Sequence, residues 1–465
     1  MRPNILFIMA DQFRADAIGC VGGYARTPNL DELARTGPLF TNAYANSAEC
    51  IPSRISLATG LYPHQTGIDK NTRCTLNPDF RTWIKAIKEV GYQTSLFGKT
   101  HFHPHKGDLR DRLPFMHGYG FDVVDETAGP RSSAAVRSNM TDLWAAQNLW
   151  EPYKRDLQDR LATKAFMAKP SVLPLELYYD CYVGRVARTY FKNLTDSAPW
   201  FCCVSFGGPH EPWDAPEPYA SMYSPADMPL PRPRTRHVNE VAGRLKVTYE
   251  SSKHSPDGLS NADIAAMRAN YAGNVTLIDD EIGRIFDEIR RRGEWEQTLI
   301  VFTSDHGEMN GDHGLIYKAN FLDPAIKIPL IISLPQSERA QCAGLRVPGL
   351  VELMDVGATL ADYAGASLER TSSARSLRGL LENGSYEHRV AAISEFAGHT
   401  CAISADLKVE FDTQLDPVLV INRAADPLEQ YDLSHESSYR NAIDELRSWL
   451  SSFRTSTPTV STAVL

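Results

Sequence analysis

The chain has 465 residues, 43% of them apolar and 23% charged; these are ordinary proportions for a folded globular protein, and the length is more than one core usually supports. A formal charge of -9 excludes a broad basic surface for nucleic acid, but leaves room for a small anionic substrate where cations gather in one pocket. Its 8 cysteines show no CxxC pair and no regular spacing, which excludes a zinc ribbon or a disulfide scaffold.

From the N-terminus, MRPNILFIMADQ holds an apolar run from Ile5 to Ala10, too short for a signal h-region, and no run elsewhere reaches transmembrane length. The expectation is a cytoplasmic chain without a membrane partner. ILFIM (5–9), TSLFG (94–98), FCCVSF (201–206), LIVFT (299–303) and PLIISL (329–334) read as buried strands. Helical patterns lie between several of them, in PNLDELART, in TWIKAIKEVG and over about 261–292. Strands alternating with helices predict an α/β fold around a large mixed, mostly parallel sheet. The segment 122–177, rich in Trp, Tyr, Pro and Arg, interrupts that rhythm and reads as an insertion that covers a site. The proline-rich MPLPRPRTR (228–236) reads as a surface loop. Beyond a helix at 353–364, VAAISEF, LKVEFD and PVLVIN predict a small antiparallel sheet, closed by a helix near 442–453 and followed by a frayed tail. The division expected is a catalytic domain over 1–367 and a C-terminal α+β subdomain over 368–465.

Several strands run straight into polar residues: Asp11-Gln12, Lys99-Thr100-His101 and Asp305-His306. In such sheets ligands bind at the carboxyl edge of the strands. Two carboxylates, an amide oxygen and an imidazole brought together there suit a divalent cation. The oxygens favour Ca²⁺, while His306 pulls toward Mn²⁺ or Zn²⁺. In ECIPSRISLATG (49–60), Pro52 fits a first helical turn and Gly60 a helix stop, which sets Cys50 at a helix N-terminus, where an anion is favoured. Arg54 on that turn, with Lys99 and Lys318 converging, would make a cationic pocket for a tetrahedral oxyanion. Read alone, Cys50 is a packing thiol, a nucleophile or a precursor of something else. In HFHPH (101–105) Pro104 argues for a loop rather than a second metal site. Glu308, Asp312 and His313 read as turn-forming or supporting groups, and His64 as either structural or substrate-facing.

Cys50-Ile51-Pro52-Ser53-Arg54, with Gly60 six residues on, resembles the signature of type I sulfatases, in the alkaline phosphatase superfamily. The ordered set Lys99-Thr100-His101, Pro209-His210, Ser304-Asp305-His306-Gly307 and Ala425-Asp426-Pro427-Leu428-Glu429 extends the likeness along the chain. The resemblance implies an alkaline-phosphatase-like sandwich and hydrolysis of a sulfate monoester. It also implies one divalent metal, normally Ca²⁺, and oxidation of Cys50 to formylglycine by a formylglycine-generating enzyme. Asp11, Gln12, Asp305 and His306 match metal ligands, with modified Cys50 adding an oxygen, and Arg54 matches the residue that holds the aldehyde hydrate. Lys99, His101, His210 and Lys318 match residues around the sulfate and the leaving oxygen. The hydrate would attack with one hydroxyl, and loss of the second hydroxyl's proton, taken by His101, would expel sulfate. Gln12 and His306, where many members carry Asp and Asn, resemble the iduronate-sulfatase and phosphonate-monoester-hydrolase branches. Phosphonate or phosphodiester hydrolysis is therefore the alternative activity, although the phosphonate branch tends to lose the Lys and His found here at 99 and 101.

Overall fold

The computed structural model describes residues 2–71, 74–162, 168–195, 198–236, 243–251, 253–254, 259–339, 342–369, 371–383, 387–460 and 463–464. Its centre is a nine-stranded sheet. In chain order the strands are β1 (Asn4–Ala10), β2 (Leu39–Tyr44), β3 (Gln93–Gly98), β4 (Val123–Glu126), β5 (Trp200–Phe206), β6 (Thr298–Ser304), β7 (Lys327–Ile328), β8 (Leu330–Ser333) and β9 (Arg346–Glu352). Their spatial order is β9-β2-β8-β6-β1-β5-β3-β4, with β7 paired to β2. All pairings are parallel except those made by β7 and β8. The predicted mixed, mostly parallel sheet is therefore present.

The central strand β1 shows why its sequence is apolar without alternation. Leu6, Ile8 and Ala10 point into one core, and Ile5, Phe7 and Met9 into the other. A strand covered on both faces carries hydrophobic side chains at every position. On the first face lie α1 (Pro28–Thr36), α4 (Tyr179–Asn193) and the long α5 (Asn261–Arg291); on the second lie α2 (Cys50–Thr59), α3 (Trp83–Glu89) and α6 (Leu353–Ala364). The ends of these helices are written locally. The Thr82 hydroxyl accepts from Lys85 N at 3.1 Å, and Ser260 and Asp263 cap each other at the start of α5.

A four-stranded antiparallel sheet follows, made of 392–396, 399–403, 407–411 and 417–422. The helix Arg440–Ser456 lays Ile443, Leu446 and Leu450 against it, at the spacing of one helical face. His64 joins this region to the sheet domain, with Nδ1 2.9 Å from Glu395 and Nε2 3.0 Å from the Thr457 carbonyl, so it is structural.

Two expectations are corrected. The segment 122–177 does not wholly interrupt the fold, because it opens with β4, the sheet's edge strand beside β3; residues 163–167 of it lie outside the described residues. The tail is not simply frayed. Ala463–Val464 pairs with Thr75–Leu76, and Val460 N donates to the Gln65 carbonyl at 2.7 Å; 461, 462 and 465 lie outside the described residues. Among the described residues no helix is long and apolar enough to cross a membrane.

Gly98 ends β3 with φ 107°, and a Cβ there would lie 1.9 Å from the Ser205 carbonyl oxygen. Only glycine lets the chain turn so close to β5 and deliver Lys99. Gly98→Ala should lower stability by about 3 kcal/mol or more in urea unfolding, from backbone strain and steric overlap together. A wild-type midpoint would show that this turn is not constrained.

Candidate active site

The carboxyl edge of the sheet gathers the residues singled out in the sequence. Asp11 and Gln12 follow β1, Lys99 follows β3, His210 lies beyond β5, and Asp305 and His306 follow β6. The helix α2 begins at Cys50 and stops at Gly60, whose φ is 70°. Its first turn is tied to the same edge, with the Ser53 hydroxyl donating to the Asp305 carbonyl at 2.6 Å and Ile51 N donating to Asn71 Oδ1 at 2.9 Å.

Arg54 is the hub. Its Nε donates to Asp305 Oδ2 at 2.7 Å and its Nη2 to Asp11 Oδ2 at 3.0 Å; Nη1 reaches the Lys99 carbonyl at 2.8 Å and Ser205 Oγ at 3.0 Å. Lys99 Nζ also contacts Asp11 Oδ2. Burial opposes a charge on Asp11, yet Lys99, His210, Arg54 and Lys318 hold it well below the usual carboxylate range. Asp305 is likewise held down against burial, chiefly by Arg54. Both aspartates are therefore anionic.

Asp11, Cys50, Asp305 and His306 each present a ligand atom, all within 4.8 Å of one another. His306 Nδ1 lies 2.9 Å from the Gly307 carbonyl, which assigns its proton to that nitrogen and leaves Nε2 as a lone pair 3.0 Å from Cys50 Sγ. Burial pushes the ring's pKa down, so it stays neutral. Two carboxylates, a neutral imidazole and an orienting carbonyl behind it fit a divalent cation.

Gln12 adopts φ 65° and is fully buried. Its Oε1 accepts from Lys318 Nζ, and its Nε2 donates to Glu211 Oε2 at 3.1 Å and to Glu308. Lys318 Nζ also lies 3.3 Å from Cys50 Sγ. Burial opposes its charge, but Cys50, Asp11, Glu211 and Asp305 together raise it above the ordinary lysine range. Burial, with Glu211 beside it, pushes Glu308 up to about 7. His210 Nδ1 lies 2.8 Å from the Glu211 carbonyl, and its side chain is 12% exposed against 2% for Cys50, so it stands nearer the mouth. The loop carrying it is anchored by Asp180, whose Oδ1 accepts from Gly207 N at 2.9 Å and Gly208 N at 3.0 Å.

His101 is placed differently. Its backbone φ is 59°, its ring centroid lies 4.3 Å from that of His105, and Nδ1 has no hydrogen-bond partner among the described residues. Burial, Lys99 and His105 hold it neutral. Of its neighbours, His103 is bound to Glu126 at 2.8 Å rather than facing solvent or substrate. Asp312 serves Arg14 and Arg268, and His313 lies 3.1 Å from Thr235 Oγ1; both are structural. Glu211, Arg131, Ser205 and Asn71 were not singled out in the sequence. Only Glu211 carried a signal there, its place beside His210.

The family pattern described as Sulfatase matches residues 3–366. The chain is 33% identical over 408 residues to the multifunctional alkaline phosphatase superfamily protein PehA of Trinickia caryophylli, covering 82% of this chain and 78% of that one. It is 26% identical to an arylsulfatase of Clostridium perfringens, covering 96% and 93%. Among solved structures, the phosphonate monoester hydrolase of Agrobacterium radiobacter superposes with a TM-score of 0.80 at 26% identity, over 98% of this chain and 96% of that one. A protein solved in complex with its substrate D-glucosamine-2-N,6-O-disulfate, BT4656, shares the fold at TM-score 0.74 and 21% identity, over 98% of both chains. With the family pattern spanning most of its length, the chain belongs to the sulfatase family of the alkaline phosphatase superfamily, and it is a sulfatase.

Proposed function

We propose that this chain hydrolyses an organic sulfate monoester to an alcohol and sulfate, with Cys50 converted to formylglycine by a formylglycine-generating enzyme. The observation that carries the reading is the crowding of Arg54, Lys99 and Lys318 around a buried helix-start cysteine in a protein of net charge -9. Such a pocket is made for a compact anion.

Asp11, Gln12, Asp305 and His306, with modified Cys50, would hold one divalent cation, Ca²⁺ before Mn²⁺. When bound, the cation supplies Lewis-acid polarisation of the sulfuryl oxygens, and the aldehyde hydrate supplies the nucleophile and its own means of release. Arg54 orients the residue-50 side chain, fixed as it is by four partners. Lys99 and Lys318 neutralise charge that develops on the ester oxygens. His101, neutral as a proton acceptor must be, takes the proton whose loss frees sulfate. His210 protonates the leaving alcohol; Glu211 occupies its Nδ1, which leaves Nε2 for that oxygen.

The catalytic domain over 1–367 would carry this chemistry, with the subdomain over 368–465 buttressing it. The segment 122–177 is proposed to shape the substrate's alcohol side, since it supplies Arg131, whose Nη1 lies 3.0 Å from Glu211 Oε1 beside His210. A second reading, hydrolysis of phosphonate monoesters or phosphodiesters, is favoured by Gln12 and His306 and by the likeness to the Agrobacterium hydrolase. Lys99 and His101 weigh toward sulfate.

With one aryl leaving group on both, kcat/KM should be higher for the aryl sulfate than for the aryl phosphonate monoester; the reverse order would put the second reading first. His210→Ala should cost about 10²–10⁴-fold on an alkyl sulfate, and far less on an activated aryl sulfate whose alcohol leaves without a proton. Equal losses on both would remove His210 as the acid.

A further inference from the structure

Gln12 is held in a way that ligation alone does not require. Its amide nitrogen donates to two carboxylates at once, Glu211 Oε2 at 3.1 Å and Glu308 Oε2. Each carboxylate is itself fixed. Glu308 Oε1 accepts from Asn310 N at 2.8 Å and Tyr317 N at 2.6 Å. Glu211 Oε1 pairs with Arg131 at 3.0 Å, and its Oε2 lies 3.1 Å from His210 Nδ1. An amide has a donor end and an acceptor end of nearly equal shape, so its neighbours decide which way it faces. Two acceptors on one side leave a single orientation, in which the NH₂ faces Glu211 and Glu308 and Oε1 faces Lys318, whose Nζ also lies 3.3 Å from Cys50 Sγ of the ligand cluster.

We propose that Glu211 and Glu308 form a carboxylate clamp that sets the polarity of the Gln12 amide, and that this clamp makes a neutral amide the required side chain at position 12. Both are positioning residues for the divalent cation, and the proposal rests on Gln12 being one of its ligands, as read above. A carboxylate is the better ligand for a hard cation in isolation. Here it would bring a third carboxylate against two others, crowding like charges together in a buried site and removing the amide N–H groups that Glu211 and Glu308 accept from. Gln12→Glu should therefore weaken cation binding rather than strengthen it. Glu308→Gln fails for the complementary reason. Its one remaining oxygen is claimed by the Asn310 and Tyr317 N–H groups, so its NH₂ meets the Gln12 NH₂ and drives that amide to turn its donors toward the cation. Combining Gln12→Glu with Glu308→Gln restores a donor facing an acceptor, returns an oxygen to the cation, and keeps the summed formal charge.

The test is calorimetric titration of Ca²⁺ and of Mn²⁺ into the metal-stripped wild type, both single variants and the double variant, all prepared with the same extent of Cys50 conversion, a readout independent of turnover. Each single substitution should weaken binding about tenfold or more, the range for partners that orient a metal ligand, and the double should recover most of that loss. Singles that bind like wild type, or a double whose loss is the sum of both, would overturn the clamp while leaving the metal site standing. Wild type that binds neither cation would overturn the metal reading and the clamp with it. If a single variant does not fold, the double decides alone: near-wild-type affinity supports the clamp, and a large loss overturns it.

Discussion

The guanidinium of Arg54, 1% exposed, is stretched across the ends of four strands: it bonds Asp11 after β1, Asp305 after β6, the Lys99 carbonyl after β3 and Ser205 on β5. Its planar fork matches two carboxylates at once, which a lysine point charge cannot do. Burying a charge so deeply is favourable only when every partner is in place, and removing one member of such a pair typically costs about 3–5 kcal/mol. The two aspartates can stay ionised in the core because Arg54 lies between them, and the cation cluster depends on their staying ionised.

The rest of the site builds outward from that pairing. The helix that carries Arg54 begins at Cys50, so one secondary-structure element fixes both the hub and the proposed nucleophile's position. Negative charge from Asp11 and Asp305 faces the cation side, while Lys99 and Lys318 add positive charge beside it. A substrate anion and a metal cation can then be held a few ångströms apart without either being left uncompensated. His210, the residue proposed to meet the departing alcohol, stands nearer the mouth, at the boundary with solvent, where a proton is easily replaced.

Much of this was legible in the sequence because it obeys local rules. β1 and β5 are apolar at nearly every position, as strands buried on both faces must be, β6 carries the run Leu299–Phe302 and β3 the pair Leu96-Phe97, and the polar residues that follow them mark the carboxyl edge. β2 (LFTNAY) and β9 (RVPGLVE) were missed, because Thr41, Asn42 and Pro348 dilute their apolar content near the sheet margin. β4 was hidden inside an apparent insertion because an edge strand needs little hydrophobicity. In the site, strand ends and the helix start pointed to Asp11, Cys50, Lys99 and Asp305. The environment of Gln12 could not be read: its partners lie 199 and 296 residues away, and no spacing rule connects them. The same holds for Arg131 and for the pairing of Ala463–Val464 with Thr75–Leu76. Long-range polar contacts are set by the finished fold, and only their local ends appear in the chain.

Everything proposed for the reaction depends on the residue that occupies position 50. As encoded it is a thiol lying 3.0 Å from His306 Nε2 and 3.3 Å from Lys318 Nζ, at the one place where helix start, ligand cluster and cations meet. The most direct measurement is peptide mass spectrometry across Glu49–Arg54 in protein produced together with a formylglycine-generating enzyme. The account predicts that the aldehyde mass replaces the thiol mass and that its extent tracks sulfatase activity across preparations. Full activity in protein whose Cys50 is wholly unmodified would contradict it.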